Sequence, residues 1–81
     1  MTGRPKRVTD EEILKEVKLA RGPVVTAKEI SERVDMSASG VNKRFDDLVE
    51  NDYLREREVG ANAVVYWLTE NGKKVAEKAD S

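Results

Sequence analysis

The chain contains neither cysteine nor histidine. Disulfide bonds, zinc sites built from these residues, cysteine nucleophiles and histidine-based catalytic triads are therefore excluded. Asp, Glu, Lys, Ser and Tyr remain as candidate catalytic groups, but no motif arranges them around a cleft. We therefore expect a protein that is not an enzyme and that carries no metal and no cofactor.

Long apolar runs are also missing. No stretch approaches the length that crosses a membrane, and no signal peptide precedes Val8. We expect a cytoplasmic protein with no membrane partner. The aromatic residues are one Trp, two Tyr and one Phe, which is too few for the stacking platforms of many RNA-binding modules.

Charge of one sign is not in excess, because 15 Lys and Arg stand against 16 Asp and Glu. A strongly basic chain would have indicated nucleic acid directly, and that argument does not apply here. The charges are nevertheless segregated along the chain, since residues 4–7 are basic and residues 46–52 are acidic. Such a separation of charges either orients a DNA-bound domain or belongs to an ordinary surface on which solvated charges of both signs are mixed.

Two threonines predict helix starts, because each begins the capping-box pattern T-x-x-E. The first helix starts at Thr9 and is expected to end with Gly22 as its C′ residue. Residues 24–25 are β-branched and predict a short strand. The second helix starts at Thr26, at the beginning of a helix–turn–helix.

A third helix is predicted from residue 37 to 51, capped by Ser37. Its buried stripe repeats at i, i+4 and i+7 and consists of Val41, Phe45 and Leu48. Short polar and basic side chains project to another side, namely Ser39, Asn42 and Lys43. This arrangement suits the major groove of DNA, although an ordinary amphipathic surface helix has the same pattern.

Residues 53–59 and 64–68 predict two strands of a hairpin, and residues 69–79 predict a last helix. Alternation turns Tyr66 toward the core and Trp67 outward. The predicted fold is mainly α with a small β-hairpin, in the order α-β-α-α-β-β-α. We expect a flexible basic arm at residues 1–8 and one domain at residues 9–81.

Four segments carry a family resemblance: T-A-K-E-I-S-E-R-V, M-S-A-S-G-V-N-K-R-F-D-D-L, E-N-D-Y-L-R-E-R and Y-W-L-T-E-N-G-K-K-V. Together they resemble the winged helix-turn-helix DNA-binding domains of prokaryotic transcription regulators, broadly the MarR-like type. The resemblance covers Thr9 to Ala79. It implies a recognition helix at 37–51, a wing at 53–68, and sequence-specific binding of double-stranded DNA by a homodimer that regulates transcription.

The resemblance also implies which side chains face DNA. Asn42 would read adenine, and Lys43 would reach guanine or phosphate. The complete implied set is Ser37, Ser39, Asn42, Lys43, Arg44, Arg55, Arg57 and Asn62, with Arg4, Lys6 and Arg7 from the arm. The long extra helices that build the dimer and ligand pocket of MarR-like proteins are absent, so we expect no small-molecule ligand.

A second function remains open at this point, because winged helices also serve as protein–protein interaction modules in transcription complexes. The near-neutral charge, the acidic end of the third helix and an outward Trp67 favour this alternative. The clustered basic residues favour DNA.

Overall fold

The computed structural model describes residues 8–61 and 63–80. Its elements are α1 (Asp10–Leu19), α2 (Ala27–Arg33), α3 (Ala38–Glu50), β1 (Leu54–Val59), β2 (Ala63–Leu68) and α4 (Glu70–Asp80). The predicted fold class is confirmed. The short strand predicted at residues 24–25 is one bridge, in which Val25 and Tyr66 exchange two backbone hydrogen bonds of 2.9 and 2.8 Å.

Both predicted capping boxes are present. The backbone N–H of Glu12 donates to Thr9 Oγ1 over 3.1 Å, and the backbone N–H of Thr26 donates to a Glu29 carboxylate oxygen over 2.9 Å. Loss of such a cap destabilises a helix by about 1 kcal/mol. These local bonds explain why the starts of α1 and α2 could be read from the sequence.

The prediction for the end of α1 is wrong. The helix stops at Leu19, and Ala20 already has an extended backbone with ψ of 150°. Gly22 does not adopt the positive φ that a C′ glycine would have. The chain leaves the helix early because it must extend toward β2, with which Val25 pairs.

One apolar core joins all the elements. The predicted stripe of α3 is completely buried, and the ring of Phe45 packs 4.4 Å from the ring of Tyr66, measured between centroids. Val8, the last residue of the predicted arm, is buried in the same core. Residues 1–7 of that arm lie outside the described residues.

The start of α4 is fixed to the turn between α3 and β1. The Thr69 hydroxyl donates to the Asp52 carbonyl over 2.5 Å, and the backbone N–H of Thr69 donates to the Tyr53 carbonyl over 3.1 Å. A Cβ on Gly72 would collide with the Tyr53 carbonyl oxygen. The L-T-E-N-G segment therefore needs threonine and glycine at these positions for a steric and hydrogen-bonding reason.

The two faces of the hairpin differ because its register is fixed. Arg55 lies opposite Trp67, and Glu56 lies opposite Tyr66. Cross-strand partners share a face, so the glutamates lie on the Tyr66 side, toward α3. The arginines lie on the other side, which we call the outer face and define by Arg55, Arg57, Val65 and Trp67. No helix in the described part of the chain is long and apolar enough to cross a membrane.

Candidate nucleic-acid interface

The first turn of α3 presents small polar groups to solvent. Ser37 caps the helix by accepting from the Gly40 backbone N–H over 3.1 Å, and its hydroxyl lies 3.4 Å from that of Ser39. A Cβ on Gly40 would lie 3.3 Å from Met36 Cε. Gly40 therefore lets the preceding turn pack closely against α3, while both serines stay exposed.

Asn42 and Lys43 extend this exposed surface by one helical turn. Lys43 makes no ion pair with any other described residue. The same helix becomes acidic toward its C-terminus, with Asp46, Asp47 and Glu50 exposed. Four predicted residues (Ser37, Ser39, Asn42 and Lys43) thus lie together at the N-terminal half of α3, which we call the recognition face.

Arg44 lies apart from this group. Its guanidinium forms an ion pair with Asp10 on α1, with nitrogen–oxygen distances of 2.9 and 2.6 Å. The Arg44 side chain is 29% exposed. Its predicted contact with phosphate would have to compete with this pair, because the side chain is turned toward α1.

The arginines of the wing are also separate from the recognition face. Arg55 and Arg57 are exposed, but their cross-strand partners are Trp67 and Val65 on the outer face. The recognition face, Arg44 and the two arginines of the wing therefore do not form one continuous basic surface. Asn62, Arg4, Lys6 and Arg7 lie outside the described residues.

A groove of about 350 Å³ runs beside the recognition face, and it contains Lys28, which was not among the residues predicted to face DNA. The groove is lined by Thr26, Ala27, Lys28, Asn42, Ala63, Val64 and Tyr66. Lys28 is exposed in the first turn of α2, where a cation opposes the helix dipole. This position could have drawn attention to Lys28 in the sequence, because a bound phosphate would offset the repulsion between the lysine and the helix dipole.

Tyr66 forms the floor of this groove and connects it to the core. Tyr66 as a whole is 4% exposed, and its hydroxyl donates to Asn42 Oδ1 over 3.4 Å. Burial raises the pKa of Tyr66, and the negative charges of Glu56 and Asp46 raise it further. The phenol therefore keeps its proton throughout the physiological pH range.

The groups brought together here can bind a partner through hydrogen bonds and charge. Hydroxyls, one carboxamide and two ammonium groups line an open surface, and hydrogen-bond donors predominate among them. Among residues 8–61 and 63–80, no group of acidic side chains could hold a metal ion. The geometry fits a polar, negatively charged partner with readable acceptor atoms.

Comparison with known proteins identifies one family and several solved structures that share the fold. A family model described as winged helix-turn-helix DNA-binding matches residues 6–55. No curated protein matches the chain in sequence. The family match covers more than half of the chain and includes α1, α2 and the whole of α3.

Several solved structures share the fold. The zinc-responsive MarR family member ZitR from Lactococcus lactis has a TM-score of 0.77 at 23% identity, over 98% of this chain and 54% of that one. The repressor AdcR from Streptococcus pyogenes gives 0.76 and 23%, over 88% and 52%. A MarR mutant from E. coli, complexed with operator DNA, gives 0.75 and 17%, over 86% and 50%. The chain thus spans about half the length of these proteins, and the likeness is one of fold.

Proposed function

Since the chain belongs to the winged helix-turn-helix DNA-binding family, we propose that it binds double-stranded DNA sequence-specifically and regulates transcription, with α3 as its recognition helix. The observation that carries the proposal is the two-sided character of α3. One side is fully buried through Val41, Phe45 and Leu48, and the recognition face projects from the other side. A helix anchored in this way can enter the major groove without rearranging the core.

The charge gradient along α3 defines how DNA approaches. Lys43 lies in the N-terminal half, whereas Asp46, Asp47 and Glu50 follow it. The N-terminal half therefore enters the major groove of DNA, and the acidic half stays away from the phosphates. Lys28 lies across the protein groove from Asn42 of α3, where it would contact the phosphate backbone of one DNA strand.

We infer that the protein acts as a homodimer, because one such domain offers few phosphate contacts and a dimer doubles them. The outer face of the hairpin is the surface we propose for the contact. A groove of about 910 Å³ on this side is lined in part by Val24, Val59, Val65 and Trp67. Val24 and Val59 are 38% and 40% exposed, so burial of this surface against a second copy would be favourable.

The free edge of β1 is less suitable for the dimer. In the described part of the sheet, β1 pairs only with β2. If the β1 edges of two copies paired antiparallel about a two-fold axis, the same face of each sheet would point to the same side. Arg55 and Arg57 would meet arginines, and Glu56 and Glu58 would meet glutamates, which is unfavourable. A dimer through the face avoids this repulsion.

We also propose that the protein acts in the cytoplasm and is not an enzyme. A prokaryotic regulator that acts on chromosomal DNA works in the cytoplasm, and the family is one of DNA-binding proteins rather than enzymes. We propose neither a cofactor nor a small-molecule effector. Two of the solved neighbours were crystallised with DNA, a MarR mutant with operator DNA and a ZitR mutant, which supports duplex DNA as the partner.

Selection of bound duplexes from a random library tests the proposal. We expect enrichment of one sequence with two-fold symmetry, and binding that weakens steeply with salt. Absence of enrichment, together with absence of binding to random DNA at low salt, would contradict it. That result would favour the alternative of a protein–protein interaction module, which is supported by the exposed Val24 and Val59 and by the acidic half of α3.

A further inference from the structure

A hydrogen bond joins the core of the domain to the recognition face. Tyr66 donates its hydroxyl to Asn42 Oδ1 across 3.4 Å, between residues 24 positions apart in the chain. Asn42 itself is exposed. An exposed asparagine on a helix normally samples several rotamers, so a buried partner restricts its orientation.

The donor end of this bond is held firmly. The Tyr66 ring packs on Phe45 at a centroid distance of 4.4 Å and an interplanar angle of 54°. Its backbone is paired both with Val25 and with Glu56 on β1. Because burial, Glu56 and Asp46 all raise its pKa, the hydroxyl remains a donor at every pH at which the domain would meet DNA.

The bond determines which end of the Asn42 carboxamide is free. The carbonyl oxygen points toward Tyr66, which uses one of its two lone pairs, so the amide nitrogen and its two N–H donors are the end turned away from Tyr66. Bidentate reading of adenine needs the oxygen and the nitrogen of the amide together. Guanine instead presents two neighbouring acceptors, N7 and O6, in the major groove.

We propose that Tyr66 is a specificity-determining positioning residue, which holds Asn42 with its amide nitrogen outward and thereby selects guanine over adenine at one position of each half-site. The inference rests on the proposed DNA-binding function of α3. It replaces the expectation, implied by the family resemblance, that Asn42 reads adenine.

Tyr66→Phe tests the inference, because phenylalanine keeps the ring and removes only the hydroxyl. We expect the guanine-to-adenine ratio at one position to fall about threefold to tenfold, which is the range of a lost neutral hydrogen bond. Total affinity for the best site should change less than this ratio. Tyr53→Phe is the matched control, since it removes a hydroxyl from a half-buried tyrosine beside the hairpin.

Two further variants keep the outcomes distinct. Asn42→Ala identifies the position that Asn42 reads, and the double variant with Tyr66→Phe should show no further change there. If the native protein selects a site and Asn42→Ala relaxes one position, but Tyr66→Phe leaves that position unchanged, the inference is wrong. If the native protein selects no site at all, the proposed function fails instead. Circular dichroism establishes that each variant is folded.

Discussion

The recognition face is exposed, whereas the outer face of the hairpin is half-buried at Val65 and Trp67, and the two faces differ in chemistry. The recognition face consists of hydroxyls, an amide and a lysine on a helix whose opposite side is buried. The outer face combines arginines with Val65 and Trp67, and exposed Val24 and Val59 border it. The first is polar enough to replace water on a duplex, whereas the second gains most when apolar surface is covered. We therefore propose DNA contact for the recognition face and protein contact for the outer face.

Gly72→Ala should have the largest effect, because it breaks the frame on which both faces depend. The added Cβ collides with the Tyr53 carbonyl oxygen, and relief of such overlap typically costs about 1–3 kcal/mol. We expect the midpoint of thermal unfolding, followed by circular dichroism, to fall by about 4–8 °C for each kcal/mol.

Gly60→Ala is the matched control for that change. Gly60 has a φ of 60°, but a Cβ there would meet no atom within 4 Å. The loss should be limited to backbone strain of about 1–2 kcal/mol. If Gly72→Ala leaves the midpoint of thermal unfolding unchanged, the close contact between α4 and the turn is not what fixes the frame.

Trp67→Ala should break the outer face and leave the recognition face intact. An aromatic anchor at the centre of an interface contributes about 2 kcal/mol or more, so the dimer dissociation constant should rise at least about thirtyfold. Analytical ultracentrifugation measures this change. Binding to an isolated half-site should stay the same, and an unchanged sedimentation profile would remove the outer face as the dimer contact.

Lys43→Ala should weaken the recognition face without affecting self-association. Loss of one phosphate contact lowers affinity for all sequences and reduces the slope of log affinity against log salt by about 1. Fluorescence anisotropy at several salt concentrations gives the slope. Lys74→Ala removes the same charge from the exposed side of α4, and an equal effect there would mean that net charge, rather than docking of α3, explains the loss.

Arg44→Ala should have the smallest effect. Its ion pair with Asp10 is 29% and 53% exposed, and partly exposed pairs contribute about 0.2–1 kcal/mol to stability. Chemical denaturation of Arg44→Ala and Asp10→Asn should give similar small losses. A drop in DNA affinity for Arg44→Ala alone would instead assign Arg44 to a phosphate, as the family resemblance implied.

The sequence predicted the elements that depend on neighbours in the chain. Capping boxes at Thr9 and Thr26 join residues three positions apart, and the stripe of α3 repeats within one helix, so both could be read directly. The end of α1 was misplaced because its position depends on pairing between Val25 and β2.

The candidate site was only partly predictable for the same reason. Arg44 meets Asp10 across 34 residues, and Tyr66 meets Asn42 across 24. The face on which Arg55 lies depends on the register of the hairpin. None of these relations follows from local periodicity, since each depends on how distant elements pack.

The most direct test of the central claim maps the bound surface by NMR. Amide chemical shifts of the full chain are followed while a selected duplex is added. We expect the largest changes at residues 37–43 and 26–28, with smaller changes at residues 65–67. Changes concentrated on the outer face of the hairpin, with residues 37–43 unaffected, would contradict it.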